Sequence, residues 1–397
     1  MRIAMISEQA SPLGSGDQHA HVAELSEALV ELGHDVRVYT RRDDPDAAEV
    51  VLTPSGVRVV HVAAGPAQPV PEDLLLPHMG EFARVLSEQW RDSDWAPEVA
   101  HAHFWTSGLA AVTAARQIGI PVVQSFHELG AVEPHGKNPQ GPSRSGYERA
   151  LGRAVDRVVA QTQDEVRGLV RIGVPRARLS VVPSGVNSDR FTPEGPSVPR
   201  DPERPRILSV GKLVERKGFG DVIQAMRYVP GAEMIVVGGP SPEQLPGDPG
   251  AKALRAMAEQ FQVADRFKLV GAVPRNDMPS WYRSADLLVG NPWEEHSALE
   301  AMACGVPIIG TAEGALTETV VDGLTGDLVP ARDPRAMGGA LRRLVNDKVR
   351  RFTYATAALD RARQAYSWKR VAAQVGSIYS SLRRTSSSVE ASTEAVA

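Results

Sequence analysis

Short apolar runs alternate with amphipathic stretches along most of the chain. Residues 3–6, 36–39, 57–62, 99–103, 122–126, 158–161 and 179–182 are too short for buried helices, and several are rich in valine. That texture predicts parallel strands buried on both faces. Between the first two runs, Val22, Leu25, Leu29 and Leu32 recur at spacings of three, four and three. They form one apolar face of a helix over 21–33, which Gly33 stops. The alternation predicts a doubly wound α/β layer.

The texture changes at 193–205, where Pro193, Pro196, Pro199, Pro202 and Pro205 interrupt any regular element. This stretch reads as a linker. The alternation then restarts, with strands expected at 207–210, 234–237, 268–270, 287–289 and 307–309. Two α/β halves joined by a hinge predict a cleft between them, with ligands at the carboxyl ends of the strands. A last helix is expected from residue 367, with Trp368, Val371, Val375 and Ile378 on one face. The small polar tail 385–397 reads as disordered.

Composition narrows the function classes. Lys+Arg 44 against Asp+Glu 48 gives a formal charge of −4, which argues against a nucleic-acid partner, since such a surface must be basic. A single cysteine, Cys304, excludes an internal disulfide framework and a multi-thiolate metal site. No apolar run approaches the ~20 residues of a bilayer span, and the first apolar stretch is too short for a signal peptide. A soluble, cytoplasmic protein is expected, compatible with a homo-oligomer.

Chemistry-bearing residues cluster after predicted strands. The turn 11–19 holds Gly14 and Gly16 ahead of a helix N-terminus. Small residues there let the backbone approach an anion, though such turns are also common as plain turns. The last slot is His19, so a dinucleotide fingerprint fails. After the strand at 207–210 comes Gly211-Lys212-Leu213-Val214-Glu215-Arg216-Lys217-Gly218. Two ammonium groups at a strand's carboxyl end suit a diphosphate; the bland alternative is a solvated basic loop. After 287–289, Ser297 reads as an N-cap with Glu300 at N3, a capping box. The other reading has the Glu300 carboxylate accept two ribose hydroxyls while the loop amides meet phosphate. His127 follows the strand at 122–126 in a cleft-facing position.

As a whole the chain, from residue 1 to about 382, resembles glycosyltransferase family 4, the retaining GT-B enzymes. The likeness to actinobacterial sucrose-phosphate-synthase-like members is especially close. The segments that carry it are His101-Ala102-His103-Phe104-Trp105-Thr106-Ser107-Gly108, Ser125-Phe126-His127-Glu128-Leu129-Gly130, Val182-Pro183-Ser184-Gly185-Val186-Asn187, residues 211–218, residues 300–307 and Asp322-Gly323-Leu324-Thr325-Gly326. The resemblance implies two Rossmann-like domains facing across a cleft. Residues 1–192 would bind the acceptor, 206–366 the nucleotide sugar, and a helix at 367–384 would cross back to the first domain. It also implies roles. Lys212 stands where the family usually has Arg, and with Lys217 would hold the UDP or GDP diphosphate and stabilise it as leaving group. Glu300 would hold the ribose, with Ser297, Ala298 and Leu299 beside it. His127 would contact the donor sugar near the reacting centre, and the turn at Gly14 and Gly16 would lie near the donor phosphate and the acceptor. No metal or other cofactor is expected.

The match departs at the donor-sugar pocket. The family's E-x7-E has Pro292 in its first slot, and the loop between Trp293 and Leu299 is three residues short. Glu294 or Glu295 would have to replace the missing carboxylate. The first turn is leaner than usual, Gly314-Ala315 replaces a double glycine, and the basic patch after His127 is absent. These changes lead to the expectation of an unusual donor or small-molecule acceptor, as in specialised, antibiotic-type metabolism. The alternative is a catalytically silent sugar-nucleotide-binding protein of the same fold.

Overall fold

The computed structural model describes residues 1–14, 16–92, 94–130, 144–290 and 296–394; at Asp17 and at 384–394 the backbone alone is described. The chain forms two compact units, Met1–Ser184 with Trp368–Ala397, and Gly185–Ser367.

Unit 1 is built on an eight-stranded sheet. Its strands are β1 (Arg2–Ile6), β2 (Asp35–Arg41), β3 (Val50–Leu52), β4 (Arg58–Val62), β5 (Val99–His103), β6 (Val122–Ser125), β7 (Arg157–Ala160) and β8 (Leu179–Val181). Their spatial order is β3-β4-β2-β1-β5-β6-β7-β8, and every pair is parallel except β3 with β4. The helices are α1 (Asp17–Glu31), α2 (Met79–Asp92), α3 (Trp105–Ala115), α4 (Arg144–Ala154) and α5 (Gln163–Arg171), together with the chain's last helix. Both faces of the sheet are covered, which is why its strands read as unbroken apolar runs. Phe82, Leu86 and Trp90 of α2 pack in one core with Ala100 and Ala102 of β5. Val22, Leu25 and Leu29 of α1 pack in another with Val371, Val375 and Tyr379.

Helix α1 ends at Glu31, and Leu32 is 38% exposed rather than part of the buried face. Leu32 is the C-cap, its amide bonded back to the Ala28 carbonyl at the very end of the helix. Strand β1 pairs with β2 on one side and β5 on the other. The strand order therefore diverges at β1 and β5, and the crevice of unit 1 opens at their carboxyl ends.

Unit 2 has an all-parallel sheet of β9 (Arg206–Val210), β10 (Glu233–Val237), β11 (Phe267–Gly271), β12 (Leu287–Val289), β13 (Ile308–Thr311) and β14 (Gly326–Val329), in the order β11-β10-β9-β12-β13-β14. Its helices are α6 (Phe219–Ala225), α7 (Pro249–Gln260), α8 (Met278–Arg283), α9 (His296–Ala303), α10 (Leu316–Thr319), α11 (Pro334–Asn346) and α12 (Lys348–Ala365). Here the order diverges at β9 and β12.

The expected boundary at 192 and the expected linker at 193–205 are both displaced. Residues 185–205 belong to unit 2. Prolines remove backbone donors but leave carbonyls, and Arg283 of α8 takes them: its guanidinium donates to the carbonyls of Pro196 at 2.7 Å and of Thr192 and Glu194 at 3.1 Å each. Phe191 is fully buried in the same unit.

The chain re-enters unit 1 as α13 (Trp368–Glu394). The helix runs on through the stretch expected to be disordered. Residues 385–394 contain neither proline nor glycine, so nothing in them breaks a helix already nucleated by the packed segment before it. Among the described residues no helix is long and apolar enough to cross a membrane.

Candidate active site

In unit 1 the carboxyl ends of β1, β5, β6 and β7 gather a polar cluster. Two of its corners are strained. Phe104 after β5 has φ 70° and His127 after β6 has φ 64°, left-handed conformations that cost non-glycine residues free energy and that cluster at functional sites. His103 is fully buried and His127 half-buried. Nδ1 of His103 lies 2.8 Å from Nε2 of His127, with the two rings stacked at 5.1 Å. On its other side His127 Nδ1 lies 3.2 Å from the Gln161 amide nitrogen, which is also 3.5 Å from Nδ1 of His21. His21 in turn meets the Ser184 hydroxyl at 3.2 Å.

An amide nitrogen only donates, so Nδ1 of His127 accepts and the ring proton sits on Nε2. That proton goes to Nδ1 of His103, and the remaining proton of His103 is on Nε2, which is buried without a hydrogen-bond partner. Burial holds the His103 imidazole well below its ordinary pKa, reinforced by His101, His127 and His21. Beneath it, His101 is pushed down to about 3 by burial and by His127. It is spanned by the Tyr379 hydroxyl at 2.6 Å and the Ser125 hydroxyl at 3.0 Å. Burial thus keeps His101 and His103 neutral, and Tyr379 of α13 holds the floor of the cluster.

Glu8 follows β1 and crosses the divergence point. Its carboxylate accepts from the Thr106 and Ser107 hydroxyls of α3, and its amide donates to Ser107 Oγ at 3.0 Å. Desolvation dominates over these bonds and raises its pKa to about 7. Gly14 and Gly16 lie exposed in the turn after it. A Cβ at Gly14 would stand 2.1 Å from Nδ1 of His19, which is tied to the Ser11 carbonyl at 2.9 Å, so this turn tolerates only glycine there without moving His19.

In unit 2 the lysine loop follows β9. The two lysines differ: Lys217 is buried at 8% exposure on a single 3-10 turn, whereas Lys212 is exposed. The loop sits against the end of β10, where Gly238 has φ 120° and a Cβ would stand 2.3 Å from the Gly211 carbonyl oxygen. Across the divergence point, after β12, lies Glu300 of α9, 6% exposed. Its Oε2 accepts from the Tyr282 hydroxyl at 2.7 Å, and its Oε1 pairs with the Arg275 guanidinium at 2.8 Å. Ser297, Ala298 and Leu299 are buried in the same helix.

Ser297 is not the N-cap, because α9 already begins at His296. The capping-box reading of Glu300 therefore fails, and its carboxylate is turned to Tyr282 and Arg275 instead. Glu294 and Glu295 lie outside the described residues. The expected residues His127, Lys217 and Glu300 all follow strands of the two sheets; Glu8, His21, Gln161, Arg275 and Tyr282, which stand in the same two clusters, belong to no motif read from the sequence. The period of two in His101-Ala102-His103 already placed both histidines on one side of β5; no local signal marked Gln161.

Residues 16–185 match a family described as glycosyl transferase 4-like domain, and residues 193–361 match glycosyl transferases group 1. The D-inositol 3-phosphate glycosyltransferase of Xylanimonas cellulosilytica is 34% identical, with 95% of this chain and 96% of that protein covered. The protein of the same name from Kineococcus radiotolerans is 32% identical over 95% and 94%. Among solved structures, a sucrose-phosphate synthase from Thermosynechococcus elongatus superposes with a TM-score of 0.83 at 26% identity, over 97% of this chain and 99% of that one. Anabaena HepE in complex with UDP-glucose shares the fold, with a TM-score of 0.72 at 17% identity over 96% and 100%.

Proposed function

The chain belongs to glycosyltransferase family 4, with the two Rossmann-like domains of the GT-B fold, and on that premise we propose that it moves a sugar from a nucleoside-diphosphate donor to a small-molecule acceptor. The observation that carries the reading is in unit 2. A loop after β9 that carries the buried Lys217 and a buried carboxylate after β12 flank the point where strand order diverges, where α/β sheets bind ligands. Lys217, with Lys212, neutralises the diphosphate and stabilises it as it leaves. Glu300 accepts two ribose hydroxyls, with Tyr282 fixing the carboxylate from behind. His127 of unit 1 contacts the transferred sugar.

Transfer proceeds with retention and without a metal, the cations and loop amides carrying the phosphate charge. UDP- and GDP-hexoses are both candidate donors. The relatives' name makes D-inositol 3-phosphate the first acceptor to try, ahead of a specialised one. The test is nucleoside diphosphate release over many cycles from UDP- and GDP-hexoses, with and without that acceptor, in the presence of a chelator. Acceptor-dependent release supports the reading. Tight donor binding with no turnover supports instead a silent sugar-nucleotide-binding protein, the reading favoured by Pro292 in the slot of the first family glutamate.

A further inference from the structure

We infer that His21, His103 and His127 of unit 1 form a binding site for a divalent transition metal of the zinc class. One nitrogen from each imidazole lies within 4.8 Å of the others, without any ion present. Nδ1 of His103 and Nε2 of His127 are already 2.8 Å apart. Two imidazole nitrogens around a tetrahedral zinc sit about 3.3 Å apart, given bonds of ~2.0–2.1 Å. The pair therefore needs to open by only a few tenths of an ångström to admit the ion between them. Imidazole suits Zn2+, Ni2+, Co2+ and Cu2+, and three protein ligands leave a fourth position for water or a small ligand.

The surroundings are those of a built site. His103 is fully buried, so its Nδ1 is shielded from competing water. Gln161 and Ser184 reach the other histidines from behind at 3.2–3.5 Å, the outer contacts that orient ligating imidazoles. The rings of Phe104 and Trp368 stand 4.7 Å from His127 and 5.0 Å from His21, lowering the local dielectric. Metal entry exchanges one bond for others without net proton loss. The His127 proton leaves Nε2 for Nδ1, the Gln161 amide turns to present its oxygen, and the freed Nε2 lone pair goes to the metal. On the reading of His127 given above, the bound ion withdraws that residue from the sugar and inhibits transfer.

The experiment uses the full chain stripped with chelator. Co2+ is titrated and followed by its visible ligand-field absorption; Zn2+ is titrated by calorimetry. The expected result is one ion per chain, with intense Co2+ bands, and affinity weakened about 100-fold in His21→Ala at an unchanged far-UV spectrum. His61→Ala, at a half-buried histidine outside the cluster that bonds to the Ala48 carbonyl, binds like the parent. Absence of Co2+ bands, or equal binding by His21→Ala, overturns the inference. Should His21→Ala fail to fold, Gln161→Leu serves, with weakened Co2+ binding expected and unchanged binding contradicting it. Turnover measured in chelator reads the proposed function separately, so the two claims fail independently.

Discussion

Nε2 of His127 donates to Nδ1 of His103 across 2.8 Å, and the direction of that bond is set from the far side of the ring by Gln161. One amide thus fixes the tautomer of a strained histidine that, on the proposed function, contacts the donor sugar. Removing the amide leaves His127 in place but free to carry its proton on either nitrogen.

Gln161→Leu is accordingly expected to lower kcat by about 2–10-fold, the worth of one net hydrogen bond, while KM for the donor stays within error. Steady-state kinetics on the variant check this. A change in KM alone, with kcat intact, would assign Gln161 to binding instead.

The lysines of unit 2 make unequal predictions. Lys217 is buried and Lys212 exposed, and electrostatic stabilisation is stronger away from water. Lys217→Ala should lower turnover by about 10²–10³-fold, as loss of a single preorganised donor does, and Lys212→Ala by less. Parallel kinetics of the two variants decide the order.

Glu300→Ala should weaken nucleoside diphosphate affinity by about 10–100-fold, the range for hydrogen bonds to a charged group. Tyr282→Phe removes only the bond that orients the carboxylate, so its effect on affinity is smaller and its cost to stability about 1 kcal/mol. Calorimetric titration with UDP and GDP, beside thermal melts, separates binding from folding.

Two buried carboxyls give the fold a pH signature. Glu8 and Glu165 are both raised from 4.5 to about 7, chiefly by desolvation. The native state therefore holds more protons than the unfolded chain between about pH 4.5 and 7, and stability falls as pH rises through that window. Glu8→Gln keeps the shape and removes one titration. Its melting temperature relative to the parent should rise between pH 5 and pH 8. A constant difference across that range would show that Glu8 is not titrating there.

The sheet cores were legible because parallel strands buried on both faces leave valine-rich runs such as Val122-Val123 and Met234-Ile235-Val236-Val237. β3 and β14 were not. β3 is a three-residue antiparallel edge, and β14 opens on Gly326, so neither shows a periodic apolar signal. The proline-rich stretch read as a free linker because sequence shows missing donors, not the distant Arg283 that collects the carbonyls. In the site, residues immediately following strands were visible one at a time. Their partners were not: His21 and Gln161 come from α1 and the end of β7, and only the strand order brings them to His127.

The most direct test of the central claim is a crystal structure of the full chain with UDP or GDP bound. The account predicts the pyrophosphate against the Lys217 ammonium and the ribose hydroxyls on the Glu300 carboxylate, with the Arg275 guanidinium displaced from Oε1. A nucleotide bound elsewhere, with the Arg275–Glu300 pair intact at 2.8 Å, would contradict it.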